Sequence, residues 1–416
     1  MQVDQRRLRR DIERNGEFGT IDVPEGHGRT VLTGSEADER ARNFFVSRLE
    51  DAGLSVRVDA VGNVAGRWTP PGADPDAAPV AAGSHLDSVP EGGIFDGPLG
   101  VYAALEAVRT LRASDETLQR PVDVVAFTEE EGARFSHGLL GSSVATGART
   151  PDEALSLVDD EGRTLETHLE TVGFAGEDEV RASDWAAWVE VHVEQGTELE
   201  SADASVGVVD AITGITNCRV EIDGEADHAG ATPMYDRSDA LVTASEFVVD
   251  FRRAAEEVVT STSPTAVGTV GRCDVTPNAR NIVPGAVELQ MDVRDVEYES
   301  MNVLVDRARR SLARLERDAP VRTDLERYRD QRPSQMADSC VEAATAATET
   351  CDVDAIEMHS AAMHDTANVA DVTDTVLLFA PSKDGLSHNP LEWTDWDDCA
   401  AVTEVLAETV ARLAST

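Results

Sequence analysis

The chain has 416 residues, and its 36 basic and 79 acidic residues give a formal net charge of −43. A surface this acidic repels nucleic acids and anionic membranes, which excludes both as expected partners. This length exceeds what one hydrophobic core usually serves, so we expect two domains. Because the acids are dispersed and Lys383 is the one lysine, the composition is typical of proteins from a salt-loaded cytoplasm. An acidic docking face for a basic partner is the alternative.

The cysteines and the N-terminus indicate the compartment. The five cysteines are scattered without a CxxC motif, which fits a reducing environment rather than a disulfide framework. The N-terminus is charged and lacks the apolar segment of a signal peptide. No apolar run approaches the roughly 18 residues that a transmembrane helix needs. We therefore expect a cytoplasmic protein.

The first predicted elements are two helices and a strand pair. Residues 4–15 have a helical pattern, and Ser35 begins a second helix, with a capping-box pattern, that ends at Gly53. Residues 54–59 and 63–68 then predict two strands joined by a tight turn.

Four apolar runs of strand length carry the most information, because each ends at His, Asp or Glu residues. The runs span residues 80–82, 122–127, 185–191 and 376–380. Helical stretches alternate with them at about 99–112, 338–350 and 395–413. Such alternation predicts an α/β fold with a largely parallel sheet, which binds ligands outside the carboxyl ends of its strands.

Between about residues 206 and 330 the pattern changes to ββαββαβ, which predicts an antiparallel sheet backed by two helices. His388 lies beyond this region, so the chain must return to the first domain. We therefore predict a catalytic domain formed by residues 1–211 and 331–416, with an inserted α+β domain at residues 212–330.

Five residues at the predicted strand ends can bind metal ions: His85, Asp96, Glu131, His192 and His388. Each alone is more often an ordinary loop residue, but their convergence on one sheet edge predicts a site. Two ions about 3.5–4 Å apart need one bridging carboxylate and roughly two further ligands each, which these five residues supply. Nitrogen and oxygen donors suit Zn or Mn, with Co or Ni as further candidates.

Two more carboxylates belong to this prediction. Asp87 can accept the second N–H of the His85 ring and so fix its tautomer. Glu130 precedes the predicted ligand Glu131, where a free carboxylate would act as general base. Without a metal cluster, Glu130 would instead be a carboxylate at the start of a helix.

Seven motifs resemble the amidase, hydantoinase/carbamoylase family in order and spacing, from about residue 35 to the C-terminus. They are GSHLDSVPEGGIFDGPLGV, FTEEEGARF, HVEQG, HAGATPM, PNARNIVPGAVELQMDVRD, SAAMHDTANVA and PSKDGLSHNP. The resemblance implies a two-metal-aminopeptidase-like catalytic domain. It also implies that the insert is a ferredoxin-like lid and dimerisation domain, and that the protein is a homodimer acting on a small molecule.

The resemblance further implies two divalent metal ions per subunit. His85 and His192 would hold one ion and Glu131 and His388 the other, with Asp96 bridging. The implied reaction is hydrolysis of the ureido C–N bond of linear N-carbamoyl amino acids to amino acid, CO2 and ammonia.

The same resemblance assigns the remaining roles. Glu130 would be the catalytic base, and His228 would stabilise the oxyanion as well as bind substrate. Gln195, Asn281 and Arg294 would also bind substrate, and the Arg294 guanidinium offers two parallel donors to a carboxylate.

One loop departs from the family pattern, because the usual SGAGHD reads SAAMHD at residues 360–365. Methyl and thioether groups replace two glycines where backbone often approaches the substrate carboxylate. Other substrates for the same metal site are allantoate, an N-acyl amino acid or a dipeptide. A ligand-binding protein with a decayed site is the non-enzymatic alternative, which the intact ligand set argues against.

Overall fold

The computed structural model describes residues 1–135 and 137–415 and divides the chain into two compact units. The first unit comprises Met1–Asp210 and the segment from Gln335 to the C-terminus. The second unit is Ala211–Ser334. Each has its own cluster of buried apolar side chains. Among the described residues, no helix combines the length and the apolarity needed to cross a membrane.

The strands, β1 to β15 in chain order, are Ser55–Val58, Val64–Trp68, Val80–His85, Val122–Phe127, Ala187–Val193, Val206–Ile212, Gly214–Asp223, Asp227–His228, Val267–Thr276, Ile282–Val283, Ala286–Asp295, Arg322–Gln331, Ser334–Gln335, Ala355–Ser360 and Thr375–Ala380. The helices, α1 to α12, are Gln5–Gly16, Glu36–Asp51, Pro98–Ala113, Leu140–Ala145, Pro151–Leu155, Leu165–Val172, Glu198–Ala202, Ala240–Ser261, Tyr298–Asp318, Asp338–Cys351, Asp365–Val369 and Trp396–Ala414. Three short 3-10 helices lie at Ala182–Asp184, Met234–Asp236 and Lys383–Gly385.

The first unit is built on a mixed sheet of nine strands in the order β1-β2-β4-β3-β5-β15-β6-β13, with β14 paired to β6. The four central strands, β4, β3, β5 and β15, run parallel. Antiparallel strands flank them. Every residue of the four central strands is buried, as expected for parallel strands covered on both faces. These are the four strands that the sequence predicts.

Two of these strands run further than predicted. β3 continues to His85, where its last residue pairs with Phe127, and β5 continues to Val193. Backbone ladders do not depend on side-chain polarity, so the strands extend through the polar residues at their ends. His85 and His192 therefore project from strand ends, whereas the sequence placed them in the following loops.

Helix α3 brings the loop after β3 back onto the sheet. Its first turn begins at Pro98, whose fixed φ suits that position, and Gly97 precedes it with φ 80°. A Cβ at position 97 would lie 2.5 Å from the His85 ring, so only glycine allows this close turn. The turn places Asp96 next to the end of β3.

The second unit contains a four-stranded antiparallel sheet in the order β12-β7-β11-β9 and a small β8–β10 pair. Buried and half-buried residues alternate along β11, and its buried side chains join those of α8 and α9 in one core. Val206–Ile212 differs from the expected pattern. The ββαββαβ pattern counted this strand with the antiparallel region, whereas the predicted catalytic domain of residues 1–211 contained most of it; in the structure it pairs with β15 in the nine-stranded sheet.

Candidate metal centre and active site

Three of the predicted ligands meet at the carboxyl edge of the parallel strands. Asp96 Oδ1 lies 3.4 Å from His85 Nε2 and 3.2 Å from His192 Nε2. All three residues are buried. Their ligand atoms lie within 4.8 Å of one another, close enough to bind one ion.

The other oxygen of Asp96 belongs to a second group. His388 Nε2 lies 3.6 Å from Asp96 Oδ2 and 3.3 Å from Glu131 Oε2. His388 has φ 56°, a left-handed conformation that is uncommon outside glycine and recurs at functional sites. The structure therefore gathers all five predicted ligands into two groups that share Asp96.

The histidine rings are oriented to offer lone pairs to a cation. His85 Nδ1 lies 3.1 Å from the Asp87 carbonyl oxygen, and His192 Nδ1 lies 3.0 Å from the Val193 carbonyl oxygen. A carbonyl only accepts, so each Nδ1 carries the proton and Nε2 is left with its lone pair. Among the described residues, none forms a hydrogen bond with the buried Nε2 of His85. This donor set fits a divalent metal ion.

Asp87 orients this site in a different way from the prediction. The atom nearest His85 Nδ1 is the Asp87 carbonyl oxygen, while its carboxylate Oδ1 lies 3.7 Å away. The carboxylate instead accepts the backbone N–H groups of Glu130 and Glu131 at 3.3 and 3.2 Å. Asp87 therefore holds the segment that carries the predicted base and the predicted ligand.

The acidic triplet divides into three different environments. Glu129 has φ 56° and its Oε1 accepts the N–H groups of Arg134 and Phe135, so it shapes the turn. The Glu130 side chain is 10% exposed, and its Oε2 lies 3.7 Å from His85 Nε2. Burial raises the pKa of Glu130 well above its ordinary value, and the nearby Glu131 adds to the shift. Glu130 therefore lies outside the two groups that share Asp96, although its carboxylate forms a third close group with His85 and Glu131.

The site is strongly coupled electrostatically. Burial alone would raise the pKa of Asp96, but the imidazoles of His192 and His85 hold it well below its usual range. Burial alone would lower the pKa of His192, but Asp96 outweighs it and raises the pKa to about 9. Burial, with Asp96 adding to it, raises the pKa of Glu131 to about 8. The metal-free site therefore retains protons that a metal ion would displace.

Several residues that were given no role by the sequence also contact the cluster. The Ser387 hydroxyl donates to Asp96 Oδ2, and Glu392 Oε1 accepts the Asp96 N–H at 3.0 Å. The His364 ring packs edge-on against the His192 ring, with centroids 4.6 Å apart. Ser387 and Glu392 lie within four residues of His388, which makes them candidates from the sequence, but this proximity does not show which atoms they contact.

The predicted substrate residues divide between the units. Gln195, in the first unit, donates through Nε2 to Asp96 Oδ2 at 3.3 Å and so lies at the cluster. His228, Asn281 and Arg294 belong to the second unit. His228 and Asn281 are exposed neighbours, because β8 pairs with β10 and Ala229 N–H donates to the Asn281 carbonyl.

His228 presents a hydrogen-bond donor. Its Nδ1 accepts the backbone N–H groups of Gly230 and Ala231, each at 3.1 Å, so the proton of the neutral ring is on Nε2. Arg294 lies at the far end of β11 from the β8–β10 pair and donates through Nε to Asp292. The eight residue-to-residue steps from Ala286 to Arg294 span about 26 Å of strand. His228 and Arg294 are therefore far apart within one copy of this unit.

Comparison with known proteins identifies the family. The sequence profile of peptidase family M20/M25/M40 matches residues 81–412. The chain belongs to this family. The M20 match includes part of each segment of the first unit, the whole second unit and all five predicted metal ligands.

Individual relatives show which proteins of the M20 family the chain is similar to. It is 38% identical to an N-carbamoyl-L-amino-acid amidohydrolase of Paenarthrobacter aurescens, over 98% of this chain and 97% of that protein. A ureidoglycolate hydrolase of Oryza sativa is 32% identical over 99% of this chain and 85% of that protein. An amidase of the hydantoinase/carbamoylase family from Burkholderia multivorans superposes with a TM-score of 0.91 at 33% identity, covering 100% and 99% of the two chains. The resemblance drawn from the motifs is confirmed.

Proposed function

We propose that this M20 protein hydrolyses the ureido C–N bond of linear N-carbamoyl amino acids. Water adds to the carbamoyl carbon, the amino acid leaves as the free amine, and the carbamate decays to CO2 and ammonia. The observation that supports this most is the cluster of five His, Asp and Glu side chains beside Glu130, in which His85, Asp96 and His192 are buried and His388 is exposed. The chain is also 33–38% identical to four proteins named N-carbamoyl-L-amino-acid amidohydrolases.

The cluster provides for two divalent ions, Zn or Mn, with Co or Ni as alternatives. His85 and His192 would hold one and Glu131 and His388 the other, with Asp96 shared. Bound ions of this kind polarise a carbonyl oxygen and acidify water. The chain's own contribution is to fix the imidazole tautomers and to hold Asp96 by backbone and side-chain contacts.

Glu130 is the general acid and base of the proposal. It takes a proton from the attacking water and returns it to the departing nitrogen, which is the amine of the product. Burial favours this role, because it raises the pKa of the Glu130 carboxyl, and a carboxyl with a raised pKa is a stronger base for the proton of water. The Asp87 carboxylate holds the Glu130 backbone in position by accepting its N–H.

Recognition of the substrate is assigned to Gln195, His228, Asn281 and Arg294. The Nε2–H of His228 would donate to the oxyanion that forms on the carbamoyl group. Arg294 would pair with the substrate carboxylate. Since His228 and Arg294 lie at opposite ends of their unit, we assign them to the same substrate from two different copies of the chain. The second unit thus acts as lid and dimerisation domain in a homodimer.

An exposed apolar face of the second unit supports the dimer. Val242 and Val249 lie seven residues apart on α8 and are 55% and 47% exposed. Val267 begins β9, the edge strand packed nearest to α8, and is 55% exposed. An apolar helix face beside an open strand edge is suited to pairing with a second copy of itself.

A cavity of about 390 Å³ adjoins the cluster in the first unit and offers room for the substrate's amino-acid side chain. It shares Gln195 with the cluster, and Met358 and Phe379 supply apolar walls. Ala361 and Ala362 line it too, and both come from the loop that departs from the family pattern. We expect this cavity to favour apolar side chains of moderate size.

A substrate panel tests the proposal. Metal-loaded protein, with Zn or Mn added, would be assayed on N-carbamoyl-L-amino acids, β-ureidopropionate, allantoate, N-acyl amino acids and dipeptides. We expect the highest kcat/KM on an N-carbamoyl amino acid. Ureidoglycolate hydrolases of Oryza and Arabidopsis are 32% identical to this chain, which makes allantoate and related ureides the second candidate. A clear preference for allantoate or for a dipeptide would overturn the assignment.

A further inference from the structure

The loop from Leu86 to Asp96 is held between two buried side chains of opposite charge that come from distant parts of the chain. Arg29 is 0% exposed and Glu392 is 1% exposed. Neither is close in sequence to Asp96. The two side chains bind different backbone groups of the loop. The Arg29 guanidinium binds carbonyl oxygens, and the Glu392 carboxylate binds N–H groups.

Arg29 holds the carbonyl side of the loop. Its Nε donates to the Gly93 carbonyl at 2.9 Å and its Nη2 donates to the Leu86 carbonyl at 3.3 Å. Its backbone N–H also donates to the Gly92 carbonyl at 2.9 Å. Arg29 therefore joins the beginning of the loop to its last turn.

Glu392 holds the N–H side, directly at Asp96. Its Oε1 accepts the N–H groups of Phe95 at 2.8 Å and Asp96 at 3.0 Å. A Cβ at Gly93 would overlap this carboxylate, so glycine allows the approach. The Glu392 N–H donates to the Asn389 carbonyl, which ties Glu392 to the turn that follows His388.

We propose that Glu392 is a positioning residue of the metal centre. By accepting hydrogen bonds from two successive N–H groups, it fixes the backbone of Asp96. Each oxygen of the Asp96 carboxylate then faces its own ligand group. This inference rests on the proposed metal centre. Partners that orient metal ligands cost about 10- to 100-fold in metal affinity when they are removed.

Glu392 could either position Asp96 through its hydrogen bonds or only fill space in the core. Three substitutions of Glu392 distinguish these two roles. Glu392→Ala removes both hydrogen bonds. Glu392→Asp keeps the charge but is one methylene shorter, so it cannot reach both N–H groups. Glu392→Gln keeps an amide oxygen at the Oε1 position and can still accept both. The matched control is Glu106→Ala, which removes another buried carboxylate, one that accepts the Asp4 N–H and pairs with Arg7 far from the cluster.

The test uses the full-length protein with Co²⁺ as the probe. Chelator competition gives the affinity, the visible spectrum reports the ligand field, and hydrogen exchange of the metal-free protein reports the Phe95 and Asp96 amides. We expect Glu392→Ala and Glu392→Asp to lose about 10- to 100-fold in Co²⁺ affinity, with altered spectra and faster exchange at both amides. Glu392→Gln should stay within a few-fold of wild type.

Three results would overturn the proposal. One is wild-type Co²⁺ affinity and spectrum in folded Glu392→Asp. Another is an equal loss in Glu106→Ala. A third is a loss in Glu392→Gln as large as that in Glu392→Ala. Because no substrate enters these measurements, their outcome is independent of which amide the enzyme hydrolyses. If Glu392→Ala does not fold, the Asp and Gln variants still decide the question.

Discussion

The two units present their functional residues in opposite ways. In the first unit His85, Asp96 and His192 are buried, and carbonyls, hydroxyls and carboxylates hold them in place. In the second unit His228 and Asn281 are exposed, and their hydrogen bonds lie within a short two-strand pair and the turns next to it.

This difference separates two tasks. A metal cluster needs ligands fixed to a fraction of an ångström, which a buried sheet edge provides. Recognition of a small substrate needs donors that can approach and withdraw, and exposed residues on a separate unit suit that. We therefore expect substitutions in the first unit to change metal content or chemistry, and those in the second unit to change recognition with the metal retained.

The largest effect is expected from Glu130→Gln. The amide cannot accept a proton from water, so turnover should fall by about 10²- to 10⁴-fold. Metal content measured by elemental analysis should stay at the wild-type level, because Glu130 lies outside the two groups that share Asp96. Glu166→Gln, at an exposed position on α6, is the matched control and should leave both quantities unchanged. Full activity of Glu130→Gln would remove Glu130 from the mechanism.

Removing ligands should distinguish the two groups in the cluster. His388→Ala takes a ligand from one group and should leave about half of the bound metal. Asp96→Asn weakens both groups and should leave little. Elemental analysis after gel filtration measures both variants. Equal losses in the two variants would contradict a shared Asp96.

Metal affinity should rise with pH. Asp96 raises the pKa of His192 to about 9, and burial raises that of Glu131 to about 8, while a metal ion requires both groups deprotonated. Binding at pH 7 should therefore release protons, and the release should decline as pH passes through 8 and 9. Calorimetry in buffers of different ionisation enthalpy measures this directly. A proton release that does not change with pH would argue against these two ligands.

Mixed dimers test whether the two copies of the second unit contribute different residues to one substrate site. Arg294→Ala and His228→Ala should each be nearly inactive alone. If one substrate takes Arg294 from one copy and His228 from the other, each heterodimer keeps one intact site. An equal mixture that forms dimers at random should then recover about a quarter of wild-type activity. Separately purified variants that recover nothing after subunit exchange would place both residues in one copy.

The smallest effect concerns salt. With a net charge of −43 the folded chain repels itself, and salt screens that repulsion. We expect the Tm to fall by several degrees when molar KCl is replaced by dilute buffer. Thermal scans across KCl concentration check this, and an unchanged Tm in dilute buffer would contradict it.

Sequence reasoning could predict that the five candidate ligands come together because their signal is local. Each apolar run is short and ends at a His, Asp or Glu, and parallel strands bring such ends to one edge. The same reasoning placed His85 and His192 in loops, because polarity alone does not show where a backbone ladder stops. It also gave the Asp87 carboxylate the wrong partner, because the N–H groups it accepts belong to a turn whose path is invisible in the sequence.

The support behind Asp96 could not be predicted for a related reason. Glu392 binds N–H groups 296 and 297 positions away, and backbone donors carry no sequence signature. The wide separation of His228 and Arg294 along the second unit was equally hidden. Both residues lie in recognisable motifs, but motif order does not reveal that β11 places them at opposite ends.

Product stoichiometry on one substrate tests the proposed reaction most directly. Metal-loaded enzyme in high salt would be given N-carbamoyl-L-methionine, and the amino acid, ammonia and CO2 would be measured together over time. We predict equal amounts of all three, with none above background from Glu130→Gln carrying the same metal. Metal-loaded, folded wild-type enzyme that releases no methionine across the N-carbamoyl series, yet hydrolyses another amide, would contradict the account.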